Sequence, residues 1–177
     1  MRYAMVIDTK LCVGCMTCVI ACATENDVPP RLRRDWVTET EHPGPSGVRL
    51  DLHSQRCNHC DKPPCVSVCP AAATSKRKDG IVVVDQKACI GCGACVEACP
   101  YGARFLHPDG YASKCTYCVH LVDQGREPEC VAACPASCIT FGDADDPQSA
   151  VNELLRARPH HVLKPEAGCG PRGFYLS

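Results

Sequence analysis

Aromatic residues are scarce in this chain of 177 residues, which contains three Phe and one Trp. A chain of this length has room for one ordinary domain or two very small ones. Small units with little apolar volume need disulfides or metal centres for stability. Long hydrophobic runs are also missing, since the apolar stretch 81–84 is far shorter than the roughly 18 residues of a membrane-spanning helix. We therefore expect no membrane span.

Signals for export, nucleic-acid binding and catalysis are missing as well. The opening segment MRYAMVID is too short and too polar for a secretory signal, so we expect no export by a signal of the chain's own. The basic clusters at 31–34 and 76–78 carry no interleaved aromatic side chains, which disfavours nucleic-acid binding. We find no Ser/His/Asp arrangement, phosphate loop or G-x-G-x-x-G, so the sequence predicts no substrate chemistry.

What the chain does have is cysteine, at 18 positions. Sixteen of these fall into four motifs, and motifs I and III have the spacing C-x-x-C-x-x-C-x-x-x-C. Motifs II and IV keep the first pair and the last spacing but lengthen the middle. The motifs are Cys12, Cys15, Cys18 and Cys22 (I); Cys57, Cys60, Cys65 and Cys69 (II); Cys89, Cys92, Cys95 and Cys99 (III); and Cys115, Cys118, Cys130 and Cys134 (IV).

An internal repeat supports one architecture for these motifs. Residues 5–22 align with residues 82–99 without a gap, and about half the positions are identical. Each copy predicts a short strand, a turn led by Asp, a cysteine loop and a short helix whose start carries the fourth cysteine. Residues 78–80 predict a hairpin turn, and Asp146-Pro147 predicts the cap of a helix ended by Pro159. These elements indicate a loop-rich α+β protein.

The spacing of motifs I and III is that of bacterial ferredoxins, in which three thiolates wrap one face of a [4Fe-4S] cube. The fourth thiolate ligates the neighbouring cluster. Four motifs therefore predict four [4Fe-4S] clusters. A zinc site would need two C-x-x-C pairs without a third cysteine between them, and Gly14, Gly91 and Gly93 suit close approach to sulfide. A disulfide framework is disfavoured because cysteines so close along the chain strain a direct bond.

Three further residues are candidates for supporting roles. We expect Cys138 to be a small buried thiol and Cys169 a free thiol in the terminal segment. His59, inside the first pair of motif II, is either a plain loop histidine or a hydrogen-bond donor to cluster sulfur. None of the three is expected to be a ligand.

The order and spacing of the four motifs resemble the electron-transfer subunits of membrane-bound molybdopterin oxidoreductases of the dimethyl sulfoxide reductase family. Segments such as ENDVPP after motif I and CPYGARFLHP at the end of motif III look most like the iron–sulfur subunits of polysulfide reductases. Thiosulfate, tetrathionate and arsenate reductase subunits look similar. The second cysteine of motif III is present as Cys92, where some relatives have Trp, so four-iron clusters are expected throughout.

The resemblance implies two ferredoxin-like units, each with two clusters, related by a pseudo-two-fold axis. Residues 1–50 and 108–145 (motifs I and IV) would form one unit, residues 51–107 (motifs II and III) the other, and residues 146–177 a C-terminal extension. Each implied ligand set is named here after its first cysteine. The sets are Cys12, Cys15, Cys18 and Cys134; Cys115, Cys118, Cys130 and Cys22; Cys57, Cys60, Cys65 and Cys99; and Cys89, Cys92, Cys95 and Cys69.

The resemblance also implies partners. The chain would relay single electrons between a molybdopterin catalytic subunit and an integral membrane, quinone-reactive anchor subunit in anaerobic respiration, without catalysis of its own. The complex would lie at the periplasmic face and be exported with its partner, although relatives that face the cytoplasm leave that arrangement open. The alternative is a soluble polyferredoxin, or a relay subunit of a hydrogenase or formate dehydrogenase. We expect the segment after residue 145 to distinguish the relay subunit of a membrane complex from a soluble carrier, because a diffusing carrier would not need this segment.

Overall fold

The computed structural model describes residues 1–45 and 47–176, apart from the side chain of Arg49. Short helices and small sheets are joined by the cysteine loops, as predicted for a loop-rich α+β chain. The helices are α1 (Thr17–Glu25), α2 (Pro64–Ser67), α3 (Ala94–Glu97), α4 (Val119–Val122), α5 (Glu129–Ala132), α6 (Ala150–Ala157) and a 3₁₀ turn (Pro165–Ala167). The strands are β1 (Tyr3–Asp8), β2 (Asp35–Gly44), β3 (Gly47–Arg56), β4 (Thr74–Lys76), β5 (Val82–Val84), β6 (Phe105–Leu106), β7 (Ala112–Ser113), β8 (Ile139–Asp143), β9 (His160–His161) and β10 (Gly173–Leu176).

The largest sheet joins the two ends of the chain. Its strand order is β8-β1-β10-β9, with β1 parallel to β10 and antiparallel to β8. Strand β1 is almost entirely buried, from Ala4 to Asp8. Helix α6 covers the same sheet, where Val151 is fully buried with Val6 and Leu176. The terminal segment therefore lies along its own domain.

A long hairpin of β2 and β3, to which the sequence assigned no strands, projects beside motif I. Its pairing runs from Asp35 opposite Arg56 to Gly44 opposite Gly47. At its base Arg56 Nε donates to Asp35 Oδ2 at 3.0 Å, and both side chains are buried. A signal for the hairpin was present in the sequence, since Val48, Leu50 and Leu52 alternate with polar residues as in a half-buried strand.

The repeated strand and turn appear twice, as predicted. Strand β1 ends at Asp8 and strand β5 is followed directly by Asp85, and both carboxylates fold back onto the next turn. Asp8 Oδ1 accepts from the amide of Lys10 at 3.0 Å, and Asp85 Oδ1 accepts from the amide of Lys87 at 2.9 Å. Such Asx turns lead the chain into both cysteine loops in the same way. The hairpin of β4 and β5 at residues 78–80 is also confirmed.

The helices correct one prediction about the motifs. In all four motifs the third cysteine is the second residue of a helix, as Cys18 is in α1. The fourth cysteine follows two residues after the helix ends in motifs II, III and IV, so it does not lie at a helix start. In motif I helix α1 continues through Cys22 to Glu25 because Ala23 replaces the proline found after the other fourth cysteines.

Helix α6 begins later than predicted. Its N-cap is Ser149, whose hydroxyl accepts from the amide of Asn152 at 3.3 Å, whereas Asp146-Pro147 lies in the preceding turn. Ser149 caps the helix because its hydroxyl accepts a hydrogen bond from the third amide of the helix, which is the usual capping geometry.

Candidate metal centres

Two of the expected ligand sets each line one cavity. Cys12, Cys15, Cys18 and Cys134 line the first. Cys57, Cys60, Cys65 and Cys99 line the second. In each case three cysteines of one motif meet the fourth cysteine of another. Within the described residues, no three His, Cys, Asp or Glu side chains are close enough to hold a single ion. Sulfur atoms that bind separate corners of a cube stand further apart.

Helix packing brings together the motifs that would supply the other two sets. Helices α1 and α5 pack against each other, as do α2 and α3, so motif I meets motif IV and motif II meets motif III. The side-chain amide of Asn26 points at two sulfurs of the Cys115 set, with Nδ2 at 3.6 Å from Cys118 Sγ and 3.8 Å from Cys22 Sγ. Cys89 and Cys95 share one apolar cluster. Cys69 follows α2, beside the helix that carries Cys95.

The loops turn through the same backbone conformation in all four motifs. The residue just before the second cysteine has a positive φ, at 68° for Gly14, 42° for His59, 66° for Gly91 and 54° for Tyr117. A left-handed residue among right-handed ones directs successive amides into one concavity, which is the geometry of anion and iron–sulfur nests. At Gly91 a Cβ atom would lie 2.4 Å from the carbonyl oxygen of Gly110. Only glycine fits there.

Backbone amides donate to the cysteine sulfurs in several places. The amide of Tyr117 lies 3.4 Å from Cys115 Sγ, and that of Ala112 lies 3.3 Å from Cys89 Sγ. The amide of Ala103 lies 3.5 Å from Cys99 Sγ. Donors aimed at a thiolate stabilise its charge. These loops are therefore built for sulfur that carries negative charge.

Burial works against that charge when no metal is bound. Burial raises the pKa of the Cys115 thiol to about 12, and it also raises the pKa of Cys22 and Cys130. A ligating cysteine must be deprotonated, so these buried thiols need nearby positive charge. The iron core of a cluster supplies such charge. The residues thus fit the predicted cofactor, and a bound cluster would supply one-electron redox chemistry at each set.

The outer sets, named for Cys12 and Cys89, reach the protein surface. Cys15 and Cys92 are exposed, whereas every cysteine of the Cys115 set is buried. Large apolar side chains are exposed around both outer sets. Beside motif I these are Leu11, Val13, Met16 and Ile20. Near the cysteines of the Cys89 set they are Val68, which precedes Cys69, together with Ile90 and Leu106. Val13 and Ile90 occupy equivalent positions of the internal repeat.

Motifs II and IV meet in the interior through two aromatic rings. His59 stacks on Tyr117 with ring centroids 3.8 Å apart, and both side chains are buried. His59 Nδ1 accepts from the amide of Val82 at 2.9 Å, and burial lowers the pKa of His59 well below its usual value. His59 is therefore not a plain loop residue. Because Nδ1 accepts, the proton lies on Nε2, which is buried without a hydrogen bond within the described residues, and donation to cluster sulfur stays a prediction. His59 packs between the Cys57 and Cys115 sets.

The two cysteines outside the motifs are buried free thiols beside the sites. Cys138 Sγ lies 3.4 Å from Cys134 Sγ and lines the same cavity as the Cys12 set. Cys169 Sγ lies 3.3 Å from the hydroxyl of Tyr101, and its carbonyl accepts from the amide of Lys62 at 2.9 Å. The sequence placed Cys138 correctly in the interior. It could not show that the chain end folds back onto motif II, because that contact depends on the tertiary path alone.

Comparison with known proteins shows the family. Models of the 4Fe-4S dicluster domain match residues 11–73 and 48–144. This chain therefore belongs to the 4Fe-4S dicluster family. It carries two ferredoxin-like dicluster domains, binds four [4Fe-4S] clusters and is a non-catalytic electron-transfer subunit. These findings confirm the predicted fold class and cofactors.

The curated relatives of this 4Fe-4S dicluster protein are subunits of reductases. A tetrathionate reductase subunit of Salmonella typhimurium is 46% identical, with 99% of this chain and 72% of that protein covered. A polysulfide reductase component of Wolinella succinogenes is 39% identical, over 99% of this chain and 94% of that protein. The arsenate respiratory reductase iron–sulfur subunit of a Shewanella species is 35% identical, over 99% and 96%. The resemblance to this group is confirmed. No helix in the part of the chain described here has the length and apolar character to cross a membrane.

Proposed function

We propose that this chain relays single electrons between a molybdopterin catalytic subunit and a quinone-reactive membrane anchor subunit. The observation that carries the proposal is the difference in burial among the four sets. Two sets meet inside the molecule, where His59 stacks on Tyr117 at 3.8 Å, and the other two reach the surface at Cys15 and Cys92. A relay through a protein needs exposure only where electrons enter and leave.

The proposed ligands are the sixteen motif cysteines in the Cys12, Cys115, Cys57 and Cys89 sets, with electrons passing in that order or its reverse. Shared cavities support the Cys12 and Cys57 sets. Helix contacts and the Asn26 amide support the Cys115 set, and the packing of α2 on α3 supports the Cys89 set. Motifs I and IV then form one unit, of residues 1–50 and 108–145, and residues 51–107 form the other. Residues 146–177 extend the first unit through β10.

Exposed apolar side chains support protein partners at both ends. Val13 is 66% exposed and Ile90 is 67% exposed, and each lies within two residues of its set's exposed cysteine. Contiguous exposed apolar groups mark interaction surfaces in soluble proteins. We assign the Cys12 end to the catalytic subunit and the Cys89 end to the membrane anchor, following the resemblance. The relatives are named as subunits of reductases, which fits a chain that works with partner subunits.

The terminal segment does not separate this function from a diffusing polyferredoxin. Strand β10 pairs with β1 and completes the main sheet, so a free carrier would need it too. The two apolar ends favour the complex over the soluble carrier. We propose a periplasmic position for the complex, with export dependent on a partner. Protease access in spheroplasts checks this, since protection of the chain there would indicate the cytoplasmic face.

The experiment compares Val13→Glu with Ile90→Glu in the assembled complex. Each change places one charge at one end, so each variant is the control for the other. We expect Ile90→Glu to slow cluster reduction by quinol at least tenfold and to leave exchange with the catalytic subunit intact. Val13→Glu should do the opposite. Stopped-flow absorption of the clusters measures both rates. The reverse pattern would invert the assigned orientation, and unchanged rates in both variants would remove the two-ended relay.

A further inference from the structure

Arg104 is a buried arginine whose charge has no carboxylate partner in the part of the chain that the structure describes. It is 5% exposed and lies just after motif III, before strand β6. Its Nη2 donates to Cys65 Sγ at 3.1 Å, and its Nη1 donates to the hydroxyl of Thr74 at 3.3 Å. Its Nε is buried and makes no hydrogen bond within the described residues. A buried guanidinium in this state needs a counter-charge.

Cysteine sulfurs are the only groups near Arg104 that supply this counter-charge among the interactions described for it. Burial lowers the pKa of Arg104, but the thiolates of Cys65, Cys57 and Cys95 outweigh burial and raise it. Two of these belong to the Cys57 set and the third to the neighbouring Cys89 set. The hydrogen bond to Cys65 Sγ is 3.1 Å long, and a further hydrogen bond to Cys95 also raises the pKa of Arg104. Arg104 therefore acts mainly on the Cys57 set.

The other unit balances its buried arginine differently. Arg56 lies near Cys130 and Cys115, but its Nε and Nη2 donate to the carboxylate of Asp35 at 3.0 Å and 3.3 Å. That pair is close to neutral as a whole, so it adds little net charge at the Cys115 set. Arg104 adds a full positive charge at the Cys57 set. The two inner sites thus differ in net charge although their loops are alike.

We propose that Arg104 raises the reduction potential of the Cys57 cluster through its hydrogen bond to Cys65 and its uncompensated charge. A cluster bound by this set would take up one electron from one neighbouring cluster and pass one electron on to the next. Arg104 keeps its proton throughout. The added negative charge strengthens the attraction to the guanidinium, so the reduced state is stabilised more than the oxidised one. Arg104 is a tuning residue and not a ligand.

This inference rests on the proposed ligand sets, and Cys65→Ala separates the two. That variant should lose one cluster's iron and one of the reduction steps in an anaerobic redox titration followed by visible absorption and low-temperature paramagnetic resonance. If it retained all iron, the ligand assignment would fail, independently of any role for Arg104. The step missing from Cys65→Ala identifies the Cys57 cluster in the wild-type complex.

Arg104→Gln removes the charge while keeping a polar side chain. We expect full iron and sulfide content and an equilibrium for reduction of the Cys57 cluster that is at least tenfold less favourable, a fall of about 59 mV for one electron. The other steps should move less. Arg104→Lys keeps the charge and should shift the same step by well under half as much. Arg77→Gln, at an arginine paired with Asp79 and Asp123 on the surface, should shift none.

Two results would overturn the proposal: an unchanged Cys57 step in Arg104→Gln, or a step shifted equally by Lys and Gln at position 104. If the Gln variant fails to retain iron, wild-type protein labelled with ¹⁵N-arginine provides the test of the contact between Arg104 and the Cys57 set. Pulsed resonance on the reduced wild type should then detect a nitrogen coupling to the Cys57 cluster that disappears in Arg104→Lys. Absence of that coupling, or its persistence in the Lys variant, would refute the contact.

Discussion

The inner and outer cluster sites use the same loop in opposite surroundings. The inner Cys115 set is wholly buried, and charged groups are buried around the inner sites, as with Arg56, Arg104 and Lys114. The outer sets each expose one cysteine and are bordered by apolar side chains such as Val13 and Ile90. The motif therefore specifies a cluster site, while its surroundings decide whether that site lies in the interior or at a surface that a partner can reach.

Lys114 illustrates how tightly the interior is organised. It is 1% exposed, and its ammonium group donates to the carbonyl oxygens of Val82 and Cys115. One side chain thus ties the strand before motif III to the loop of motif IV. The nearby thiolates of Cys57 and Cys115 favour the charged form of Lys114, although burial lowers its pKa overall. Inner thiolates and buried cations depend on each other.

Loss of one cysteine ligand should distinguish the inner sites from the outer sites most clearly. We expect Cys92→Ala to lose one cluster and otherwise keep a cooperative thermal transition. Cys115→Ala should release more iron than one cluster holds and lower the melting temperature much further, because the buried Cys115 packs in the same core as Ile139 and Tyr175. Iron and sulfide content with thermal denaturation by circular dichroism measure this. Equal losses in both variants would show that burial has no bearing on stability here.

The buried ion pair provides the next test. Arg56→Met leaves the Asp35 carboxylate buried without its partner, and breaking such a pair costs about 3–5 kcal/mol. The surface change Arg77→Met removes ion pairs to Asp79 and Asp123 and should cost at most about 1 kcal/mol. Anaerobic thermal midpoints at a fixed scan rate give the ranking.

The double variant Arg56→Met, Asp35→Leu controls for the buried charge. Removing both charges should recover most of the stability lost in the single variant, because apolar residues replace a buried pair at little cost. A double variant less stable than Arg56→Met alone would mean that the pair contributes through its contacts rather than its charge balance.

The smallest expected effect is on the pH dependence of stability, and it arises away from the inner and outer sites, where the β2–β3 hairpin contacts strand β10. His53 is half-buried, with its ring centroid 5.3 Å from that of Tyr175, and burial followed by the neighbouring His161 lowers the pKa of His53. The imidazole of His53 therefore binds a proton more readily in the unfolded chain, where its pKa is about 6.5, than in the folded chain. Stability should fall slightly as the pH drops through that value, and the loss is complete below the lowered pKa of the folded state.

His53→Gln should reduce this slope between about pH 7.5 and pH 5.5, as measured by anaerobic thermal midpoints. His160→Gln, at an exposed histidine of strand β9, is the matched control and should leave the slope as it is. An identical slope in the wild type and in His53→Gln would show that other groups set the pH dependence.

The sequence by itself determined the chemistry of this protein. Cysteine spacing has few uses, so the motifs predicted four [4Fe-4S] clusters, and the repeat predicted the strand and Asx turn seen at Asp8 and Asp85. These features are local, since each depends on residues a few positions apart. The left-handed turn at Gly14 and Gly91 was also open to prediction because glycine marks such a backbone.

Only the tertiary structure shows how the surroundings of the four sites differ. His59 and Tyr117 take the same turn without glycine and stack across two motifs, and Arg104 reaches Cys65 from another part of the chain. Strand β10 returns to pair with β1 at the opposite end of the sequence. No spacing rule encodes such contacts. They arise when chain segments far apart in sequence share one interior, and the charges and rings gathered there distinguish four sites built from one motif.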